Sequence, residues 1–357
     1  MRRGTRLRAA ARRGRPCAAA IVLLAFCAPA AGAEPSPLRA PSLWIAHAGE
    51  PAAIAAQARP AGVRTLLVKA ADGTTPDPQF TPALVSALRA SGLSVCAWTF
   101  AYGTDPAGEA AAAVAAVRAG AQCLVVDAEG QYDSRYGQAQ LFVRSLRGAL
   151  GRAFPIALAG QAETLQHPKF PYSVFLGPGA FQLDMPQAYW HDLGLTPGAA
   201  VSVAIGENAL YGRPIVPVGQ LYGGVGAAEV GQFATFAAEH GSPGASFFDL
   251  DSAEPALLAA VVPHVAPAIR LAARPATVRP GADGDEVLWA QELLNGAGAH
   301  LPAGGFFGAQ TGRALVRFQA HHRLARTGVL DAPTWRALLR VRPRVPSWAK
   351  RPPDSAL

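Results

Sequence analysis

"CLVVDAE", residues 123–129, is a short apolar run that ends in two acids one residue apart. An apolar run of that length reads as a strand buried on both faces, as in a parallel sheet. Asp127 and Glu129, at positions i and i+2, then project from the same face at its C-terminal end. Similar runs recur along the chain: "SLWIAH" (42–47), "RTLLVKA" (64–70), "LSVCAWTF" (93–100), "FPIALAG" (154–160), "FQLDMPQAYW" (181–190), "PIVPVGQLY" (214–222) and "ASFFDLD" (245–251). Between them lie Ala-rich segments of helical periodicity, such as "FTPALVSALRASG" and "AAEVGQFATFAAEHG", most of them closing on the Gly that suits a helix C-cap. Eight strands alternating with helices predict an α/β chain built on a (β/α)8 TIM-like barrel. An open doubly wound sheet is the competing arrangement, but no Gly-rich phosphate loop follows the first strand.

Barrels of this type place their chemistry at the C-terminal ends of the strands. There the sequence offers His47, Lys69, Asp72, Trp98, Tyr102, Asp127, Glu129, Asp184, Gln187, Tyr189, Trp190, Gln220, Tyr222, Asp249 and Asp251. Carboxylates and amides suit the hydroxyls of a carbohydrate, and aromatic rings suit its apolar faces. A nucleic acid would call for clustered Arg and Lys instead, and none is expected as a partner. Glycoside hydrolysis needs a protonated and an ionised carboxyl about 5–9.5 Å apart. We expect Glu129, further out and longer, to be the general acid, and Asp127 its ionised partner. Asp249 and Asp251 are the further catalytic candidates. Lys69, Asp72, Trp98, Tyr102, Asp184, Gln187, Tyr189, Trp190, Gln220 and Tyr222 are expected to bind substrate. No metal and no cofactor is expected, because no His, Cys and carboxylate cluster has ligand spacing.

The chain has 357 residues, half of them hydrophobic and 16% charged, enough for a large core and unlike a disordered chain. Residues 1–33 hold seven arginines and no acid, then "CAAAIVLLAFCAPA" and the small-residue site "AGA". That is the pattern of an export signal, too short in its apolar run to span a membrane. It predicts a secreted, extracellular or wall-associated protein without a membrane anchor after cleavage. Residues 34–276 carry 14 Lys/Arg against 18 Asp/Glu, whereas 277–357 carry 11 against 6, so two units with different partners are expected. The boundaries are a signal peptide at 1–33, a Pro-rich linker at 34–41, the barrel at 42–270, a helical module at 277–340 and a flexible tail at 341–357. After signal removal two cysteines remain, Cys96 and Cys123, on neighbouring expected strands. Export permits a disulfide, and two buried free thiols fit equally well.

The segment from Thr277 resembles the small three-helix peptidoglycan-binding domain found on cell-wall hydrolases. The matching residues are Val287, Gln291 and Leu294; Gly305, Phe307, Gly308, Thr311, Ala314, Phe318 and Gln319; and Gly328, Thr334, Trp335 and Leu338. Gly304 stands where that family usually has Asp before the turn glycine. The barrel resembles the lysozyme-type muramidases of glycoside hydrolase family 25. Lys69, Gly73, Asp77 and Phe80 match its second strand and loop, Gly92 and Phe100 its third strand, and "VVDAEG" (125–130) its Asp-x-Glu. The chain departs from that family at the first strand, which ends near His47 rather than in Asp, and at Trp98-Thr99-Phe100. The resemblances imply a secreted, monomeric muramidase acting on peptidoglycan glycan strands, or a non-catalytic peptidoglycan-binding protein with a degenerate barrel.

Overall fold

The computed structural model describes Met1 and residues 36–263, 269 and 271–350. The signal peptide expected at 1–33 lies outside the described residues. Nine strands form one sheet: β1 (Ser42–Ile45), β2 (Thr65–Asp72), β3 (Thr75–Pro76), β4 (Ser94–Ala101), β5 (Leu124–Ala128), β6 (Ile156–Ala159), β7 (Leu183–Asp184), β8 (Val218–Gln220) and β9 (Ser246–Phe248). The order is β7-β6-β5-β4-β2-β1-β9-β8, all parallel, with β3 folded back antiparallel on β2 as a hairpin. Parallel bridges Asp184–Ile215 and Gln187–Val218 then join β7 to the segment leading into β8 and close the barrel. The chain is therefore a TIM-like parallel α/β barrel, as its strand rhythm predicts.

Helices α1 (Pro51–Ala58), α2 (Pro82–Ala90), α3 (Pro106–Arg118), α4 (Tyr136–Leu150), α5 (Tyr172–Leu176), α6 (Pro197–Asn208), α7 (Ala227–Glu239) and α8 (Pro255–Leu258) alternate with the strands. Local chemistry sets several starts. Thr81, Asp105 and Thr196 accept hydrogen bonds from the backbone N–H groups of Leu84, Gly108 and Ala199, each just before a Pro in the first turn.

Strand parity sorts the core into two layers. Trp44, Leu67, Cys96, Trp98, Cys123, Val125, Ala157, Leu183, Met185, Val216 and Val218 fill the barrel interior. Their neighbours, such as Leu43, Val68, Val95, Val126 and Leu158, pack under the helices. Leu38, 2% exposed, joins the interior set, and Thr65 donates to the Pro37 carbonyl. Residues 36–41 are thus not the linker expected there. They plug the barrel floor, because an apolar side chain seals an end that would otherwise admit water. Cys96 and Cys123 face each other across β4 and the entry to β5, with Cα atoms 4.5 Å apart and their sulfurs joined.

The C-terminal module is α9 (Asp285–Gly296), α10 (Ala309–His321) and α11 (Ala332–Leu338). Two glutamine side chains each organise a turn. Gln291 accepts from the Gly304 and Gly305 N–H groups and donates to the Phe306 carbonyl and Thr311. The turn that lacks the family's Asp is therefore held from α9. Gln319 repeats the arrangement with Gly328, Val329 and Thr334.

This module is bolted to the barrel. Asp285, 1% exposed, accepts from the Ser173 N–H (2.9 Å) and hydroxyl (2.6 Å), and Trp289 donates to the Leu210 carbonyl at 2.9 Å. Gly284 (φ +136°) has no room for a side chain: a Cβ would stand 2.5 Å from the Pro168 carbonyl. The first part of the expected flexible tail is packed too. The 3-10 turn Ser347–Lys350 contacts α4, and Trp348 packs against the core. The Trp348 ring and half-buried Val345 favour packing over the solvated tail that the Pro and charge content suggests.

Candidate functional site

At the open end of the barrel, inward parity along β5 runs Cys123, Val125 and then Asp127 and Glu129, so the last two inward positions are carboxylates. Across from them, inward parity beyond β7 runs Leu183, Met185, Gln187 and Tyr189. The Gln187 amide donates to both acids, at 2.7 Å to Asp127 Oδ1 and 3.1 Å to Glu129 Oε1. One nitrogen thus holds the two carboxyl oxygens within about 6 Å of each other. Asp127 is 8% exposed and Glu129 half-buried. Burial, reinforced by the charge of Glu129, pushes the Asp127 carboxyl well above the usual range, against the opposing pull of Gln187 and Lys69. Burial therefore favours the protonated form of Asp127, the acid that its place along the strand would make the ionised partner.

The rest of the mouth divides into a cationic lip and an aromatic wall. Lys69 donates to Asp72 at 2.9 Å and lies 5.3 Å over the Trp98 ring. Tyr102 donates to the other Asp72 oxygen at 2.7 Å. Burial raises the Asp72 pKa, but the hydrogen bonds from Tyr102 and Lys69 outweigh it and leave it lowered, so this exposed carboxylate stays ionised. The hairpin turn at Gly73 (φ +57°) brings this lip into place, and a Cβ there would press on the Tyr102 ring at 3.2 Å. Tyr189, Tyr222 and Phe248 form a triangle of rings with centroids 5.8–6.2 Å apart. Tyr222 is fixed by a hydrogen bond to Asp192. Burial raises the Tyr189 hydroxyl well above its ordinary value, so it stays neutral beside the acids.

Several expected residues are not in this mouth. Asp184 points the other way, because Leu183 and Met185 on either side of it face the interior; it is 1% exposed, and burial raises its pKa well above the usual range. Trp190 falls on the outward parity next to Tyr189 and is fully buried against Phe233 of α7, 5.2 Å between ring centroids. Gln220 is fully buried, accepting from the His191 N–H and donating to the Tyr222 carbonyl, so its amide is spent on the backbone. Trp98, 4% exposed, donates to the Ile45 carbonyl and packs on Trp44 and Phe248. It is the floor of the mouth rather than an exposed platform.

The two acids beyond β9 are also engaged. Asp249 caps the 3-10 turn Leu250–Ser252. Asp251 accepts from the His47 N–H at 2.7 Å, with the His47 ring nitrogen at 3.1 Å. Burial raises the Asp251 pKa, partly offset by that His47 N–H. Its carboxylate thus reaches the end of β1. Phe248 and Asp192 are the site residues that sequence reading missed. The alternation Ser246/Phe248 signals the first, whereas only tertiary contact with Tyr222 reveals the second. Among the described residues no group of three or more His, Cys, Asp or Glu is placed to hold a metal ion, and no helix is long and apolar enough to cross a membrane.

Residues 283–338 match the family model "Putative peptidoglycan binding domain". No curated protein matches the chain. Among solved structures, the catalytic domain of the endolysin ply40 from bacteriophage P40 of Listeria monocytogenes is similar at 16% identity. The match covers 41% of this chain and 73% of that one, with a TM-score of 0.29. Dihydrodipicolinate synthase from Rhodopseudomonas palustris is similar at 16% identity over 63% of this chain and 74% of that one, with a TM-score of 0.40. At these scores neither likeness assigns an activity. The chain is a TIM-like α/β barrel followed by a helical peptidoglycan-binding domain.

Proposed function

We propose that the protein is an exported cell-wall hydrolase whose barrel cleaves the glycan strands of peptidoglycan while its C-terminal module holds it on the wall. The observation that carries this reading is the single Gln187 amide spanning Asp127 and Glu129 at the barrel mouth. One proton shared between two carboxyls is what glycosidic cleavage requires. Asp127, whose carboxyl burial holds well above the usual range, protonates the leaving oxygen, and Glu129 faces the positive charge that develops on the sugar. A separation of about 6 Å or less suits retention of configuration better than the ~6.5–9.5 Å that an inverting water needs. Tyr189, Tyr222 and Phe248 offer ring faces to the sugars, and Lys69 a counter-charge. We place the barrel at 42–270 and the module at 277–340.

A second reading, a wall-binding protein whose barrel only holds glycan, is favoured by one observation: Asp249 and Asp251 are tied to a turn and to His47, leaving no independent third carboxylate. Clearing of purified cell walls by wild type, Asp127→Asn and Glu129→Gln decides between them. Loss of about 10²-fold or more in either variant is expected. Clearing that survives both substitutions would sink the site assignment, and retention without any clearing by wild type would leave the binding protein.

A further inference from the structure

On the C-terminal module, a groove of about 460 Å³ runs between the ends of α9 and α10. That volume is in the range of small-ligand pockets, ~300–1,000 Å³. Its floor is apolar and small, with Leu294, Ala297, Ala314, Phe318 and Val341. Its rim is the exposed trio Arg317, His321 and His322. The His322 ring packs on Phe318 with centroids 4.2 Å apart, which fixes it over the floor. Arg317 makes no ion pair among the described residues.

The module's charges are sorted between its two sides. Of its acids, exposed Asp283 pairs with Lys169 of the barrel, Asp285, Glu286 and Glu292 are buried or half-buried on α9, where Asp285 locks onto Ser173, and Asp331 is spent capping α11. The carboxyls thus lie away from the groove, which is lined by the far ends of α9 and α10 and rimmed by basic side chains. A sugar would call for a flat exposed aromatic ring, but Phe318 is only 6% exposed. A narrow floor of small apolar groups beneath a guanidinium fits a short alkyl side chain next to a carboxylate, since Arg binds carboxylates in a bidentate fork.

We infer that this groove binds the peptide stems of peptidoglycan, taking an alanine-like methyl on its floor and a stem carboxylate on Arg317, His321 and His322. The inference deepens the wall-hydrolase reading and rests on it. The module then grips the peptide while the barrel works on the glycan, so the two ends of the molecule read different parts of one polymer.

The test uses the full-length protein and sedimentation with two wall preparations, intact peptidoglycan and glycan strands stripped of peptide by an amidase. Wild type is expected to sediment at least about ten-fold more with intact wall than with stripped strands. Arg317→Ala and the His321→Ala/His322→Ala pair should each lose most of that difference. All three residues are exposed, and an unchanged melting temperature shows that the variants fold. Equal sedimentation of wild type with both preparations overturns the peptide assignment in favour of a glycan ligand. Retention of the variants at wild-type level overturns the groove. Failure of wild type to sediment with any wall overturns the wall-targeting reading itself, a different result from either.

Discussion

The contact between module and barrel is built around carboxyl groups that resist ionisation, so the protein should lose stability as the pH rises toward neutrality. Burial of Asp285, countered in part by its hydrogen bonds from Ser173, raises its pKa to about 7, and burial raises Glu286 to about 7 and Glu292 to about 8. An unfolded Asp releases its proton near pH ~3.9, the folded one only near 7. Between those values the native state binds more protons than the unfolded chain, so stability falls with rising pH across that window and levels off above it. A shift of about three units is worth about 4 kcal/mol for Asp285 alone. At ~2.1 cal/mol/K per residue over roughly 310 residues, that is about 6 °C in melting temperature. Asp285→Asn keeps an oxygen for the Ser173 N–H and offers a donor to its hydroxyl, so at pH 5 it should melt close to wild type. At pH 8 it should melt several degrees higher, because the buried charge is gone. Calorimetric scans of both proteins from pH 4.5 to 8.5 measure the difference and cancel other titrating groups. A wild-type melting temperature that is flat or rising from pH 5 to 8, or an Asn variant with the same slope, would refute the reasoning.

Three further outcomes are expected. Gln187→Leu removes the donor shared by Asp127 and Glu129; wall clearing should fall by about ten-fold or more, and the alkaline limb of its pH profile should move up, since Gln187 lowers the Asp127 pKa. Leu38→Ala opens a cavity at the barrel floor and should cost about 2–5 kcal/mol in chemical denaturation, whereas a linker residue would cost nothing measurable. Thiol titration of residues 34–357 in denaturant should find no reactive thiol before reduction and two after, from Cys96 and Cys123; free thiols without reduction would reject that pairing.

The eight-strand rhythm was legible because parallel strands buried on both faces are written as unbroken apolar runs. Every such run in the sequence carries a strand, although "FQLDMPQAYW" keeps only Leu183–Asp184 as regular pairing. The Asp127/Glu129 pair was legible for the same reason, as the polar end of a run. What failed was parity in the sixth run. A proline and a short ladder hide which residues alternate inward, so Asp184 and Trp190 read together with Gln187 and Tyr189 although they lie on the opposite side. The burial that raises Asp127 was hidden because exposure along a strand end depends on what covers it, and Gln187 comes from 60 residues away. The packed segments at 36–41 and 341–350 were hidden by Pro-rich composition, which reads as solvated chain until Leu38 and Trp348 find a surface.

The docking of the module changes what wall binding does for the barrel. A binding domain on a flexible tether raises local concentration and leaves orientation free. Here the loop after β6 leaves the mouth at Gln161, which bridges Gln187, and a few residues later its Pro168 carbonyl accepts from the Asp285 N–H of α9. Ser173, at the start of α5, completes the lock. One short stretch of chain is therefore anchored at one end to the residue that bridges the two acids and at the other to the module. Gly284 sits at the tightest point of that contact, where any side chain would force the two apart. On the proposed function, a wall polymer gripped by the module is presented to the mouth in a fixed direction, and the entropy of orienting it is met by the fold rather than at each encounter.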